Sequence, residues 1–562
     1  MFTNKQNVNI LTQQLVAYGV NTAVICPGSR NAPIIHNLNE CASIRCFPVT
    51  DERSAGFYAL GLSLAAQRPV VVCVTSGTAL LNLLPAVAEA WYRQIPLIVV
   101  SADRPQAWID QQDGQTLPQA DALHGFVKRA VSLAEPHDEE TTWHCHRLVD
   151  ECLQEQLRHG SRFPIHINVH ISEPLFDITV PRLPATKPVV RANRSFNREA
   201  IKQTLIARLL QARRPIIIVG QTTPGACQEA TALRVRQNFV VLHEQLADLP
   251  HPTHFEEIIR QTETSPALQS SFFPDFIVYI GGTLVSKPLK KMLRKTHAPT
   301  WIVNPDGTLY DTFMNLEGIV ECDCPTAFQE LAGIAAEALS PQATSYRQLW
   351  DEALDMADRH NATFIPTYSQ LAAVRCLEEN NHAATHYANS SAIRLANIFA
   401  RKYVYCNRGV NGIDGSLSTA AGFSLHDTSE KTVCVIGDLS FFYDQNALWN
   451  RMIGGNLRIL LLNNGGGGIF HQLNGVKESA AFQTFIAAEH HASAEGICRQ
   501  NNILYLSAND MPSMQEGISH LLSVEASRPV LLEVFTTPEQ DAAALNAYFS
   551  TPLPLSSLQQ NV

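Results

Sequence analysis

The chain lacks any apolar run longer than a strand, so nothing in its 562 residues reads as a membrane span. Its opening, MFTNKQNVNILTQQL, has no basic stretch followed by an apolar core, and no secretory leader is expected. Charge is sparse. Charged residues make up 17% of the chain, and 42 basic side chains against 52 acidic ones leave a net charge of −10. That balance argues against a nucleic-acid partner and makes any local cluster of arginines informative. The 13 cysteines are scattered, and the only close groupings are Cys322-Asp323-Cys324 and His144-Cys145-His146. Neither has a second half at zinc spacing, so both read as structural. Others (Cys26, Cys73, Cys434) fall in strand-like runs, where a thiol packs as a small hydrophobe. A cytoplasmic location is expected from this usage. A full Gly-x-Gly-x-x-Gly is also missing. Gly220 to Gly225 has half the spacing of a nucleotide loop and reads as a plain turn, which ranks a Rossmann nucleotide binder low.

What is present is a repeated strand-then-helix rhythm. At 562 residues the chain is too long for a single core. The pattern predicts an α/β fold of three doubly wound α/β domains, at 1–180, 195–345 and 350–562. The proline-rich stretch Pro181 to Asn193 reads as a linker. In the first domain, strands end in Pro27-Gly28-Ser29-Arg30, Asp51-Glu52-Arg53, Thr75-Ser76-Gly77-Thr78 and Ala102-Asp103-Arg104-Pro105. In the third, His386 to Ala388 and Tyr403 to Cys406 are expected strands, ending in Asn389-Ser390-Ser391 and Asn407-Arg408-Gly409. A small-residue helix from Gly415 to Ser424 follows the second of these. The first and third domains share this order, which predicts an internal structural duplication. The Pro/Ser/Gln-rich tail after Thr551 is expected to be mobile.

The stretch from Thr432 to Phe470 organises the rest. Thr432 to Ile436 and Leu457 to Leu462 read as buried strands, with a helix expected over Asp444 to Met452 between them. A crossover of that length makes the strands parallel, so both carboxyl ends lie on one sheet edge. Asp438 follows the first strand and Asn464 the second. A carboxylate and an amide oxygen thus meet where open α/β sheets bind ligands. That pair suits a hard divalent cation that also takes phosphate oxygens. Gly465 to Gly468 allow close approach of the backbone, and the carbonyl of Gly466 is a third candidate metal ligand. The unit reads as a metal–diphosphate cradle.

Gly437-Asp438 followed by Asn463-Asn464 resembles the thiamine diphosphate fingerprint of the pyruvate decarboxylase and acetolactate synthase superfamily. The third position is Leu439 where that fingerprint usually has glycine. Taken with the strand-end strings above, with Gly412-Ile413-Asp414-Gly415 and with Gly437-Asp438-Leu439-Ser440, the chain resembles the family of SEPHCHC synthases (MenD) of menaquinone biosynthesis, in which the Gly-Asp-Leu form is typical. The resemblance spans all three domains. It implies pyrimidine-binding, middle and diphosphate-binding domains, with thiamine diphosphate and Mg²⁺ (or Mn²⁺) as cofactors.

The resemblance also implies roles for residues. Glu52 would be the catalytic glutamate at the cofactor's aminopyrimidine. Ile413 would be the wedge that bends the cofactor. Ser390, Ser391, Gly437, Leu439 and Ser440 would contact it beside the metal ligands Asp438, Asn464 and Gly466. The implied reaction is decarboxylation of 2-oxoglutarate and 1,4-addition of the succinic-semialdehyde carbanion to isochorismate. By motif match, Ser29, Arg30, Arg104, Gln115, Lys287, Ser390, Arg394 and Arg408 would line the substrate pocket, with Ile469 and Phe470 as its apolar wall. Arginine's planar fork suits the substrate carboxylates. Lys287-Pro288 departs from the expected Lys-Arg pair, leaving Lys290 as an alternative cation. The resemblance further implies a homodimer or homotetramer with each site between two chains. The alternative is another thiamine diphosphate-dependent 2-oxo acid decarboxylase or carboligase, acetolactate synthase-like.

Overall fold

The strand–helix rhythm resolves into three parallel sheets. The computed structural model describes residues 1–156, 162–186, 188–189, 198–472, 475–523 and 525–560. Residues 187 and 190–193 of the expected linker over 181–193 lie outside those residues. The first sheet has six strands, in the order Arg45–Pro48, Thr22–Ile25, Val70–Val74, Leu97–Asp103, Ile165–His170 and Ala130–Leu133. The middle sheet has five, Val240–His243, Pro215–Val219, Phe276–Ile280, Thr300–Val303 and Leu316–Val320. The third also has five, Ala384–Tyr387, Thr432–Gly437, Leu457–Asn463, Val530–Phe535 and Leu504–Ala508. All neighbours within these sheets are parallel. The central strands, such as Val70–Val74, Pro215–Val219 and Leu457–Asn463, are apolar runs buried on both faces, as parallel sheets require, while edge strands such as Arg45–Pro48 are partly exposed.

The expected Tyr403–Cys406 strand is only a single parallel bridge, Tyr405 to His386, at the outer edge of Ala384–Tyr387. The residue before it turns away: the Val404 amide donates to the Gln245 carbonyl of the middle unit at 2.9 Å. Counting that stub, the first and third sheets have the same strand order. Equivalent strand ends therefore fall at equivalent places on the two carboxyl edges.

The two sheets share one core. Its centre is a helix pair, Glu52–Ala66 against Ser416–Ser424. Small residues set the approach. A Cβ at Gly61 would lie 2.0 Å from the Thr419 carbonyl oxygen, and one at Gly422 would lie 2.3 Å from that of Tyr58. Phe57, Tyr58 and Leu60 are buried in this contact, each worth about 1.5–3 kcal/mol of apolar burial. The Tyr58 hydroxyl donates to the Ala447 carbonyl at 2.6 Å, which ties the first sheet's helix to the crossover of the third.

Two expectations change here. The crossover helix runs from Asp438 to Tyr443, followed by a 3₁₀ turn at Gln445–Leu448, rather than over Asp444 to Met452. Asp444 is buried and accepts from the Ser418 amide at 2.7 Å and the Ser418 hydroxyl at 2.8 Å. That tether ends the helix. The tail is not free: Leu553, Leu555 and Leu558 are buried in the middle unit's core, beside Tyr346 and Trp350 of the Pro341–Thr363 helix. Among the described residues no helix is long and apolar enough to cross a membrane. The Gly220 turn is zipped to the neighbouring strand end. The Gly282 amide donates to the Gln221 carbonyl at 2.8 Å, and a Cβ on Gly220 would meet the Gly282 carbonyl at 2.0 Å. The glycine serves that close approach.

Candidate active site

The third sheet's carboxyl edge brings Asp438 and Asn464 together. Asp438 opens the helix after Thr432–Gly437 and is buried. Its Oδ1 accepts from the Leu439 amide at 2.6 Å, and its Oδ2 from the amides of Asn464 at 3.2 Å and Gly466 at 3.0 Å. Burial pushes the carboxyl's pKa up, while these amides and His490 work to lower it. His490 Nε2 lies 3.4 Å from Asp438 Oδ2. Its Nδ1 accepts from the Ala492 amide at 3.1 Å, so in the neutral ring Nε2 carries the proton.

Gly465 and Gly466 have φ of +79° and +154°, which lets the loop fold back over the carboxylate. The Asn464 side-chain amide donates to Asp541 Oδ2 at 2.8 Å. That bond fixes which way the amide points and leaves its oxygen as the free end. Asp541 is itself held by the Gln370 amide at 2.8 Å and the Thr536 hydroxyl at 3.1 Å. A buried carboxylate and an oriented amide oxygen at adjacent strand ends fit a hard divalent cation.

Ser390 caps the Ser391–Phe399 helix with φ of +70°, a left-handed conformation that costs a non-glycine residue of order 1–3 kcal/mol. Its carbonyl accepts from Arg394 Nη1 at 2.9 Å. The Asn389 amide donates to the carbonyls of Asn407 at 2.6 Å and Gly412 at 2.8 Å, and its Oδ1 accepts from Arg408 Nη1 at 3.0 Å. One asparagine thus joins the Ser390 turn, the Arg408 turn and the loop carrying Ile413. Ile413 is 44% exposed, an apolar side chain left open beside the cradle. The Ser440 hydroxyl donates to its carbonyl. Ile469 and Phe470 follow on a 3₁₀ turn, both half-buried.

Arg408 stands where all three units meet. Glu89, from the Leu84–Arg93 helix, accepts from the amides of Gly409 at 2.9 Å and Val410 at 2.8 Å. Glu244 of the middle unit accepts from the amides of Val285 at 2.6 Å and Ser286 at 2.5 Å. Both are buried, and burial pushes Glu89 upward and Glu244 up to about 7, with Arg408 drawing each back. Lys287 begins the next helix, with Pro288 behind it, and is exposed without a hydrogen bond or ion pair among the described residues. Lys290 is half-buried and donates to the Leu284 carbonyl at 3.0 Å. Burial lowers its pKa; Glu244 works to raise it, and Arg408 and Arg294 to lower it. Lys290 is thus the lysine that feels Arg408.

The first sheet's carboxyl edge carries the other group. Arg30 is 6% exposed and donates to the Ile171 carbonyl at 3.0 Å. Arg104 Nε donates to the Gly114 carbonyl and pairs with Asp113 Oδ2, each at 3.0 Å. Ser29 and Gln115 are exposed on the same edge, Gln115 with φ of +57° and its backbone over Gly77. Glu52 starts the Glu52–Ala66 helix, capped by Asp51, whose Oδ1 accepts from the Ser54 amide at 2.9 Å. Among the described residues the Glu52 carboxylate makes no hydrogen bond. Its neighbours are engaged: Asp51 Oδ2 accepts from Asn446 at 2.7 Å, and Arg53 donates to the Tyr443 carbonyl at 2.8 Å. Within one chain no hydrogen bond or ion pair joins Ser29, Arg30, Glu52, Arg104 or Gln115 to the Asp438 group, again among the described residues.

Sequence reasoning missed Asn389, Glu89, Glu244, His490 and Asp541. Asn389 stood in a strand-end turn and was within reach. Asp541 sits in the first turn of the Pro538–Ser550 helix, where a carboxylate ordinarily complements the helix dipole. Nothing local marked it out.

The parallel-sheet fold is that of a thiamine diphosphate enzyme: a family model described as "Thiamine pyrophosphate enzyme, N-terminal TPP binding domain" matches residues 6–124. The chain belongs more narrowly to the 2-succinyl-5-enolpyruvyl-6-hydroxy-3-cyclohexene-1-carboxylate (SEPHCHC) synthase family. It is 41% identical to the synthase of that name from Bacteroides fragilis, over 98% of this chain and 99% of the relative. It is 41% identical to the one from Phocaeicola vulgatus over the same shares. To that from Porphyromonas gingivalis it is 33% identical, over 98% of this chain and 97% of the relative.

Proposed function

We propose that the chain is a thiamine diphosphate-dependent SEPHCHC synthase of menaquinone biosynthesis, working in the cytoplasm. It takes 2-oxoglutarate and isochorismate, releases CO₂ and joins the remaining succinyl unit to isochorismate in a 1,4 sense. The observation that carries this is the match over nearly the whole chain to relatives bearing that name. Bound thiamine diphosphate supplies the electron sink that a 2-oxo acid needs to lose CO₂.

The chain's own residues divide the remaining work. Asp438, the Asn464 amide oxygen and the Gly466 carbonyl hold Mg²⁺ or Mn²⁺, with Asp541 keeping the amide turned. The Ser390-Ser391 turn, Gly437, Leu439 and Ser440 take the diphosphate, and Ile413 supports the cofactor's bend. Glu52 holds the hydrogen bond at the aminopyrimidine N1′, a charge-assisted contact of roughly 1.5–3 kcal/mol. Its lack of an intrachain partner suits that role. Ser29, Arg30, Arg104 and Gln115 on one edge, and Ser390, Arg394 and Arg408 on the other, bind the substrate carboxylates. Ile469 and Phe470 close the apolar side. Lys287 or Lys290 adds a cation from the middle unit. No hydrogen bond or ion pair joins the two groups among the described residues, and in this reading the site is completed in a homo-oligomer, with Glu52 of one chain facing Asp438 of another.

The test is loss of isochorismate absorbance in a defined mixture. The reading requires that loss to depend on 2-oxoglutarate, thiamine diphosphate and a divalent metal together. Turnover of pyruvate with no need for isochorismate would favour an acetolactate synthase-like carboligase instead.

A further inference from the structure

We propose that Glu173 is a built-in counter-ion of the Arg30–Arg104 pair, which the substrate carboxylate displaces on binding. This rests on the reading of those arginines as a carboxylate clamp. Glu173 follows the strand Ile165–His170, which lies beside Leu97–Asp103, the strand that leads into Arg104. Its Oε1 sits 3.1 Å from Arg30 Nη2 and 4.0 Å from Arg104 Nη1. One carboxylate oxygen therefore accepts a hydrogen bond from Arg30 and lies within ion-pair distance of Arg104.

The pair is lopsided. The side chain of Arg30 is 7% exposed and that of Arg104 23%, while that of Glu173 is 71% exposed. Arg30 is anchored by the Ile171 carbonyl, and Arg104 by Asp113 and Gly114. Glu173 Oε2 has no partner among the described residues. Structural carboxylates in this protein look different. Glu533 is buried and takes Asn463, Ser493, Tyr505 and the Ala494 amide. Glu89 takes two backbone amides. A buried guanidinium without a counter-ion is costly, whereas an exposed carboxylate can turn to water at little cost. The arginines are thus fixed and the acid is the mobile partner. Glu173 keeps Arg30 paired when the clamp is empty, Arg104 having Asp113 as well, and only an anion able to use the planar fork in two places competes well against it. It is a specificity-determining residue that acts through the arginines.

Three variants of the holoenzyme, with thiamine diphosphate and Mg²⁺ present, test this by steady-state kinetics. Glu173→Gln keeps the shape and removes the charge. Glu173→Asp keeps the charge but withdraws it by one methylene. Both should lower KM for 2-oxoglutarate or isochorismate, by about two- to fivefold for an exposed ion-pair partner, with kcat little changed and sulfate a stronger competitive inhibitor. Arg104→Lys should raise KM for the same substrate. A purely structural Glu173 would raise KM or lower kcat in both acid variants, and that result overturns the proposal. So does an effect confined to Glu173→Gln, which marks a long-range field rather than a displaced contact. If Arg104→Lys leaves KM unchanged, the clamp reading fails and the proposal with it.

Discussion

Glu52 and Asp438 ask different things of a carboxylate. Glu52 sits at a helix start with no hydrogen-bond partner among the described residues, held in place by the capping of Asp51. Asp438 is buried and already accepts three backbone amides. Replacing Glu52 with Gln keeps the helix start and removes the charge. The expected outcome is a fall in kcat of at least about 100-fold, with thiamine diphosphate affinity, read by fluorescence quenching, changed only a few-fold. Near-full activity would remove Glu52 from the chemistry. Asp541 makes a sharper test of the metal reading, because it touches Asn464 and not the ion. Asp541→Ala frees the Asn464 amide to turn its nitrogen inward. Metal affinity, measured by titrating Mg²⁺ into the enzyme with thiamine diphosphate, should weaken by about 10–100-fold. An unchanged titration would show that the orientation of Asn464 does not matter.

At the scale of elements, the strand ends were legible and the ties between them were not. Runs such as Thr432 to Ile436 and Pro215 to Val219 announce buried strands, and each is found there. The strand Ile165–His170 did not announce itself, because His166 and Asn168 give it a half-exposed pattern. Both are buried in the sheet: Ser101 Oγ lies 2.7 Å from His166 Nε2 and donates to Asn168 Oδ1 at 2.8 Å, and burial pushes His166 down to about 4. The crossover helix was misplaced for a similar reason. Asp444 reads as a helix start, yet it is drawn into the interior by Ser418, a partner 26 residues away. No local pattern encodes such a partner, and the same holds for Glu89, Glu244 and His490.

Asp444 also carries a pH prediction. Burial pushes it up to about 7, above the ordinary aspartate value of about 3.9. The folded state therefore keeps this proton longer than the unfolded one. Its stabilising effect is complete below the ordinary value and is lost as pH rises through about 7. Asn can still accept from the Ser418 amide and donate to its hydroxyl. Asp444→Asn should thus flatten the decline in apparent Tm across this pH range, while Glu244, also raised to about 7, continues to act. An unchanged slope in the variant would contradict the assignment.

For the whole molecule, the duplicated strand order places Glu52 and Asp438 on two equivalent sheet edges, and among the described residues no hydrogen bond or ion pair joins the two side chains. If each site joins two chains, two dead variants should rescue one another. Equal mixing and reassembly of Glu52→Gln with Asp438→Ala gives mixed dimers in which one site carries both lesions and the other carries none. Recovered activity should approach about one quarter of wild type for random pairing, and none would return if each chain held a complete site. The reaction itself is read most directly from carbon. With uniformly ¹³C-labelled 2-oxoglutarate, unlabelled isochorismate, thiamine diphosphate and Mg²⁺, one labelled CO₂ should appear for each product molecule. The product should carry the four remaining labelled carbons on the intact isochorismate skeleton. Labelled CO₂ released with isochorismate untouched, or a product lacking the succinyl label, would contradict the account.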